Sequence, residues 1–326
     1  MNTTLPAYRY TATGTAMYLG IAAALLTVCI WSGWLIAVRF SSGSALTAFD
    51  LAMMRYSLPA LLLLPFMWQA RIAIRRTHWL HLIGISTGAG IPFFYLSSTG
   101  LDYAPVAHAG LLIPGTFPVF VTMIAVLIYR ETLTRHRLIG LSLIMAGVTL
   151  LMFSSLVQQQ ADVLKGDLLL LGASFCWALF TVSMRVAGLP PLAAAGLLCW
   201  VSTLILGVLY LFGWVESGLT QASQDELLLQ LIMQALGAGL LAGFFYGFAI
   251  NRLGAENTAA IGSLTPVIVG LAAIPLLGEH LSLAALAGMA FICCGVIKAS
   301  GFSRHKQKTA AIIPAPRDET DLLASR

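Results

Sequence analysis

The sequence predicts an all-α integral membrane protein: ten transmembrane helices as two inverted five-helix repeats, with the N and C termini cytoplasmic. Three observations carry this. First, of 326 residues 59% are hydrophobic and only 10% charged, whereas a soluble domain carries about 25% charged residues. Second, the apolar residues fall in unbroken stretches of about 20, the length a helix needs to cross the hydrocarbon core. Third, residues recur in order between the two halves of the chain.

The ten stretches are 17–38, 48–68, 79–100, 104–129, 138–155, 167–187, 190–213, 229–251, 256–277 and 282–300. Before them lies a polar segment, 1–16. A polar tail containing Pro314 and Pro316, 301–326, reads as disordered. Runs without polar–apolar alternation exclude a β-barrel. Cys29, Cys176, Cys199, Cys293 and Cys294 form no CxxC pair, so neither a metal site nor a disulfide framework is expected. No cofactor motif is present, and without GxxxxGK[ST] ATP is not a direct energy source. Nucleic acid is not an expected partner, because the positive residues sit between apolar stretches.

Orientation follows from charge. Of the 18 Lys and Arg residues, all but Arg39, Lys165 and the span residue Arg55 fall on the side that holds the N-terminus. By the positive-inside rule that side is cytoplasmic. The repeat is read from Pro118-Val119, Glu131, Leu133, Gly140 and Gly147-Val148. These recur at one constant offset as Pro266-Val267, Glu279, Leu281, Gly288 and Gly295-Val296. Phe93-Phe94-Tyr95 matches Phe244-Phe245-Tyr246, and the Trp31/Arg39 spacing matches Trp177/Arg185. Five spans per half is an odd number, so the halves enter the membrane in opposite directions. The halves are 17–155 and 167–300, joined by a periplasmic connector, 156–166. Inverted halves suit alternating access around a midplane site.

These motifs resemble the drug/metabolite transporter superfamily, in its EamA-type branch. The resemblance covers about 17–300. It rests on the 5+5 layout, Trp31 and Trp177, Arg55, the Pro-Val-to-Glu spacing and the Gly-x6-Gly-Val of each last helix. It implies a secondary transporter, often an exporter of amino acids, related metabolites or toxic compounds. The cavity would be lined by the first, third and fourth helices of each half. The peripheral fifth and tenth helices would be free to meet a second copy in a homodimer. A prokaryotic inner membrane is implied as the location.

Candidate substrate-binding residues are Trp31, Trp34, Arg55, Tyr95, His108, Pro118, Trp177, Phe244, Tyr246, Asn257, Ser263 and Pro266. The aromatics could form a wall for a moderately apolar substrate, although packing or lipid contact uses the same residues. Pro118 and Pro266 each free a backbone carbonyl, which serves a substrate, a hinge or a static kink. An Arg inside a span marks a functional position. Arg55 reads as an outer gate or carboxylate contact, or as a snorkelling residue with Asp50 near enough to pair. His108 and Glu256, at matching positions, are the proton-coupling candidates; both stand close to an interface. Asn257, Ser263 and Thr265 could add polar contacts. Glu131 and Glu279 end their helices, where an acid is electrostatically disfavoured, so they call for a structural partner such as a salt bridge.

The expected function is export of a small amphipathic metabolite, an amino acid or derivative or a toxic compound. The lipid bilayer and that small molecule are the expected partners. An exchanger of phosphate esters or nucleotide sugars needs more cavity Lys or Arg than Arg55 alone. A membrane enzyme needs a His and acid cluster, and His78 and His81 have no acid nearby in sequence. The expectation is therefore not an enzyme. A passive channel fits the inverted repeat less well.

Overall fold

The computed structural model describes residues 14–253 and 255–299, and every regular element among them is helical. Glu256 and the segments 1–13 and 300–326 lie outside the described side chains or residues. The elements are α1 (Gly14–Phe40), α2 (Ala48–Gln69), a short α3 (Arg71–Arg76), α4 (Trp79–Gly88), α5 (Ile91–Tyr103), α6 (Val106–Leu127), α7 (Arg135–Val157), α8 (Ala161–Ala187) and α9 (Pro191–Leu211). They continue with α10 (Gln224–Gln230), a π-helical segment (Leu231–Leu241), α11 (Ala242–Leu253), α12 (Ala255–Gly262), α13 (Thr265–Leu277) and α14 (Leu283–Ala299). Eight stretches are long and apolar enough to cross a membrane unaided, and α13 and α14 are shorter apolar helices. Trp68, Trp79 and Trp214 are exposed near helix ends, as an interfacial belt requires.

Three stretches that hydropathy reads as single spans are interrupted. The third breaks at Ala89–Gly90, between α4 and α5. A freed carbonyl in an apolar interior must find a donor, and the Tyr56 hydroxyl donates to Ala89 O at 3.0 Å. Pro92 then starts the next helix, a position where its missing N–H costs nothing. The eighth changes to π-helical pitch over Leu231–Leu241, and the ninth breaks before Thr265, where Pro266 opens α13. Pro118, by contrast, sits inside the continuous α6. Window hydropathy averages over such breaks and cannot see them. The sixth helix begins at Ala161 rather than at the expected 167, so only 158–160 separate it from α7. Asp162, Lys165 and Asp167 lower the hydropathy there without breaking a helix.

Caps fix the helix ends. Thr47 and Asp50 form a capping box at the start of α2, satisfying two N–H groups reciprocally. Thr134 and Ser223 cap α7 and α10 through their hydroxyls. The ends of α6 and α13 are alike. Glu131 N donates to Ala125 O at 3.1 Å, and Glu279 N donates to Ala273 O at 3.3 Å. The residue before each Glu is left-handed, Arg130 at φ 55° and Gly278 at φ 68°. Such a C-cap turns the chain off the helix axis and carries each glutamate past the unfavourable dipole end.

Helices α2 and α9 pack together, as do α6 with α13 and α7 with α14. Helix α8 packs on α4, α5 and α6, while α1 packs on the π segment, α11, α12 and α13. Each contact has its counterpart when the two halves are exchanged. The α7–α14 crossing depends on glycine: a Cβ on Gly295 would stand 2.7 Å from Gly140 O, and one on Gly147 would stand 2.8 Å from Gly288 O. Backbones approach this closely only where a side chain is missing. Gly84, Gly88 and Gly239 are likewise crowded, by α8 and α2. Gly243 and Gly247, which follow Gly239 at four-residue spacing, have open space around them. The change of helical pitch just before them turns that face away. Gly295→Ala should therefore lower the stability of the purified protein by about 1–3 kcal/mol. Gly243→Ala should leave it unchanged or raise it by up to about 1 kcal/mol, with both read as thermal midpoints in detergent.

Candidate transport site

The first and third spans of each half bring their aromatics together. The Trp34 ring stacks on Phe93 with centroids 5.9 Å apart, and Phe93 lies 5.0 Å from Trp177. Trp177 is 6.4 Å from Trp31, which is 5.2 Å from Tyr246. Four of the aromatics read from the sequence, Trp31, Trp34, Trp177 and Tyr246, thus join one chain of rings through Phe93. Tyr95 is half-buried beside Phe94, ring centroids 6.5 Å apart, and its hydroxyl lacks a hydrogen-bond partner. Phe244 stands apart: it is 58% exposed and touches the Phe245 ring at 5.5 Å.

Arg55 lies over the Trp34 face, its Cζ 4.6 Å from the ring centroid, with Tyr56, Phe93 and Phe94 at 6.0 Å. It does not pair with Asp50. That carboxylate accepts from Thr47 N at 2.9 Å, Thr47 Oγ1 at 3.0 Å, Gly218 N at 2.8 Å and Ser217 Oγ at 2.6 Å. The capping box and the α9–α10 connector have taken it. Trp34 Nε1 donates to Gln234 Oε1 at 2.9 Å, Gln234 Nε2 to Gln230 Oε1 at 3.1 Å, and Gln230 Nε2 to Ala37 O at 2.6 Å. This buried relay runs from the π segment along α1. The sequence signal for it was available, as two glutamines four apart in an apolar stretch.

Two ion pairs lie at opposite ends of the bundle. Arg39 Nε meets Glu279 Oε1 at 3.1 Å, with side chains 29% and 14% exposed. Arg39 Nη1 also donates to Leu101 O at 2.7 Å, and Val106 N donates to Glu279 Oε2 at 2.9 Å. At the other end Arg185 Nη2 meets Glu131 Oε1 at 2.7 Å, with side chains 51% and 38% exposed. Each Arg ends the first helix of one half; each Glu follows the fourth helix of the other. These pairs supply the partner that the recurring glutamates call for.

The remaining candidates lie elsewhere. His108 is buried against Asp167, Nδ1 to Oδ1 at 2.7 Å, an acid that sequence distance hid. Both are near the α7–α8 connector, where His108 lines a small polar cavity of about 130 Å³ with Ser155, Gln158 and His280. Asn257 is exposed and donates to Leu253 O within its own stretch of chain at 2.7 Å. Thr265 Oγ1 donates to Gly262 O at 2.8 Å, and Ser263 O accepts from Cys293 Sγ at 3.3 Å. Pro266 is buried at the start of α13, and Pro118 is half-buried. Among the described residues no cluster of His, Cys, Asp or Glu could hold a metal.

The model of the EamA-like transporter family matches twice, over 18–153 and 164–300. The chain belongs to the EamA-like transporter family. It is similar to the uncharacterized transporter YyaM of Bacillus subtilis (strain 168), at 24% identity over 65% of this chain and 70% of that protein. It is also similar to a probable amino-acid metabolite efflux pump of Salmonella typhimurium, at 27% identity over 56% of this chain and 64% of the relative's length. A solved structure titled "Crystal structure of protein" shares the fold, with TM-score 0.58 and 18% identity over 89% of this chain and 99% of that one. The family and the apolar helices make this chain a multi-pass membrane transporter.

Gln234→Leu would leave the Trp34 N–H and the Gln230 Oε1 unpaired in a buried site. It should cost about 1–3 kcal/mol, read as the thermal midpoint in detergent.

Proposed function

We propose that the chain is a secondary transporter that exports a small amphipathic metabolite, an amino acid or derivative or a toxic compound, across the inner (plasma) membrane. It works by alternating access between two inverted five-span halves, 17–155 and 167–300, with both termini cytoplasmic. The observation that carries the reading is the two equivalent ion pairs. Arg39–Glu279 ties the halves at one end and Arg185–Glu131 at the other. Opening one end parts one pair while its counterpart holds. The doubled family match and the half-exchange symmetry of the helix contacts support the inverted repeat. Interrupted helices beside the aromatic chain are the usual walls of a midplane site. The efflux pump among the relatives supports export.

In this reading the Arg39 end faces outside, by the positive-inside rule. There the pair is reinforced by Leu101 O and Val106 N–H, whereas Arg185–Glu131 is a single, more exposed contact. An exposed pair contributes about 0–1 kcal/mol, so the Arg39–Glu279 contact is the firmer of the two. Substrate-lining residues in this reading are Trp31, Trp34, Arg55, Tyr95, Trp177 and Tyr246.

Cells expressing the protein should enrich at least one metabolite in the medium relative to cells with a Trp177→Ala, Tyr246→Ala variant at equal membrane abundance. Identical profiles, followed by no counterflow in liposomes, would end the proposal. The gates make a separate prediction in a cysteine-free background carrying Ser98→Cys. Glu279→Gln should speed its labelling by an impermeant maleimide, and Glu131→Gln should slow it. Changes in the same direction would refute the paired-gate arrangement.

A further inference from the structure

We propose that His108 and Asp167 form a proton-binding site, open to the outer face through a polar cavity, and that the bound proton latches the outer end shut. This goes beyond the paired-gate reading and rests on it. Asp167, on the second turn of α8, is fully buried. His108 Nδ1 stands 2.7 Å from its Oδ1, and its Oδ2 has no hydrogen-bond partner. A neutral His108 donates one N–H and leaves a net negative charge in the interior; a protonated His108 cancels that charge. A buried charge without its partner is strongly disfavoured, so the pair favours the proton-bound form. Histidine is the side chain whose charge changes between about pH 5 and 8.

A proton has a way in. The cavity of about 130 Å³ is walled by His108, by Ser154, Ser155 and Gln158 of α7, and by His280. Gln158 and His280 are exposed, so the cavity reaches the surface. With Nδ1 turned to Asp167, Nε2 is the nitrogen left for a proton arriving from the cavity. Other charges at this end come from the elements packed against α6. Helix α8 brings Asp162 and Lys165, α5 brings Asp102, α1 brings Arg39, and the α13–α14 connector brings Glu279 and His280. Among the described residues α7, α13 and α14 bring no Asp, Glu, His, Lys or Arg to this end. Lys165 lies over the Tyr103 ring at 3.9 Å, and Arg39 is held by Glu279 and Leu101 O. His108 is the basic group in contact with Asp167.

The site joins the outer gate through one helical turn. Helix α6 starts without a side-chain cap of its own. Instead Val106 N donates to Glu279 Oε2 at 2.9 Å, and that carboxylate pairs with Arg39. The first turn of α6 is thus pinned to Glu279 at Val106 and to Asp167 at His108. Loss of the proton leaves the Asp167 charge to draw water in through the cavity, which frees the turn and weakens the Val106–Glu279 bond. Acid outside holds this end shut; alkali lets it open. The device is one-sided. At the offset that relates Trp31 to Trp177, Asp167 corresponds to Ile21, so α1 carries no such acid at the opposite end. A site at one end, away from the midplane, senses outside pH rather than carrying a proton across.

The test uses the full-length protein in liposomes, in the cysteine-free background with Ser98→Cys. An impermeant maleimide in the bath labels only molecules whose outer end faces it. The labelling rate, divided by that of the unfolded chain at the same pH, should rise as the bath goes from about pH 5 to about pH 8. The expected rise is about tenfold, the change produced by one unit of difference in proton affinity between the shut and open ends. Changing the pH of the lumen alone should have no effect. Asp167→Asn and His108→Gln should each abolish the dependence. In the wild-type chain, deuterium exchange at the His108 ring C–H, read by mass spectrometry, should follow a titration curve over the same range. A flat exchange profile, a flat labelling ratio, a rise retained in Asp167→Asn, or a response to lumenal pH would each overturn the inference. A flat ratio alongside opposite responses to Glu279→Gln and Glu131→Gln would overturn it and leave the paired gates standing. A pH response alongside same-direction responses to those two variants would refute the gates and leave the proton site standing.

Discussion

The hydrocarbon interior supplies no water, so each backbone group and each charge taken into it needs a partner from the chain or from a ligand. Most of this structure is the working out of that demand. Where the third span breaks, Tyr56 meets Ala89 O. Where Trp34 turns its indole N–H inward, Gln234 meets it, and Gln230 passes the relay on to α1. Asp50 is buried and has four donors around it. Not every buried group meets that demand: Arg55 Nη1, Tyr95 Oη and Asp167 Oδ2 are among those without a partner.

The same demand shapes how the halves meet. Helix contacts in lipid rest on close packing rather than on a hydrophobic drive, and α7 and α14 meet through Gly140, Gly147, Gly288 and Gly295. The ion pairs are different in kind. They stand at the two ends, where water screens them, and their strength is set by how many further donors join them. Arg39–Glu279 gathers two and Arg185–Glu131 none that compares. A close glycine seam and end contacts of modest strength are what the proposed rocking of the halves would need.

Identical caps explain why the recurring glutamates sit where helix electrostatics disfavour them. The left-handed residue before each one, Arg130 and Gly278, takes the chain off the axis. The carboxylate then faces the arginine that ends a first helix of the opposite half. Four recurring residues, read from the sequence as two unrelated repeats, are one contact made twice.

Membrane class, helical content and most span positions were legible because they depend on composition and run length, which are local. So were the recurring Trp, Arg, Glu and Gly positions. Contacts were not. Nothing in the order of residues says that Asp167 faces His108, that Asp50 turns to Ser217 rather than Arg55, or that Phe244 points out while Tyr246 of the same motif points in. The helix breaks at Ala89–Gly90 and before Thr265, and the π pitch of Leu231–Leu241, also escaped, because hydropathy records what a segment is made of and not how its backbone bonds. By itself the sequence determined that this chain crosses the membrane many times and that its halves are related, since both follow from solvent and period. Only the tertiary structure decided which charges are satisfied and that Arg55 is not, since a partner is a matter of distance in space.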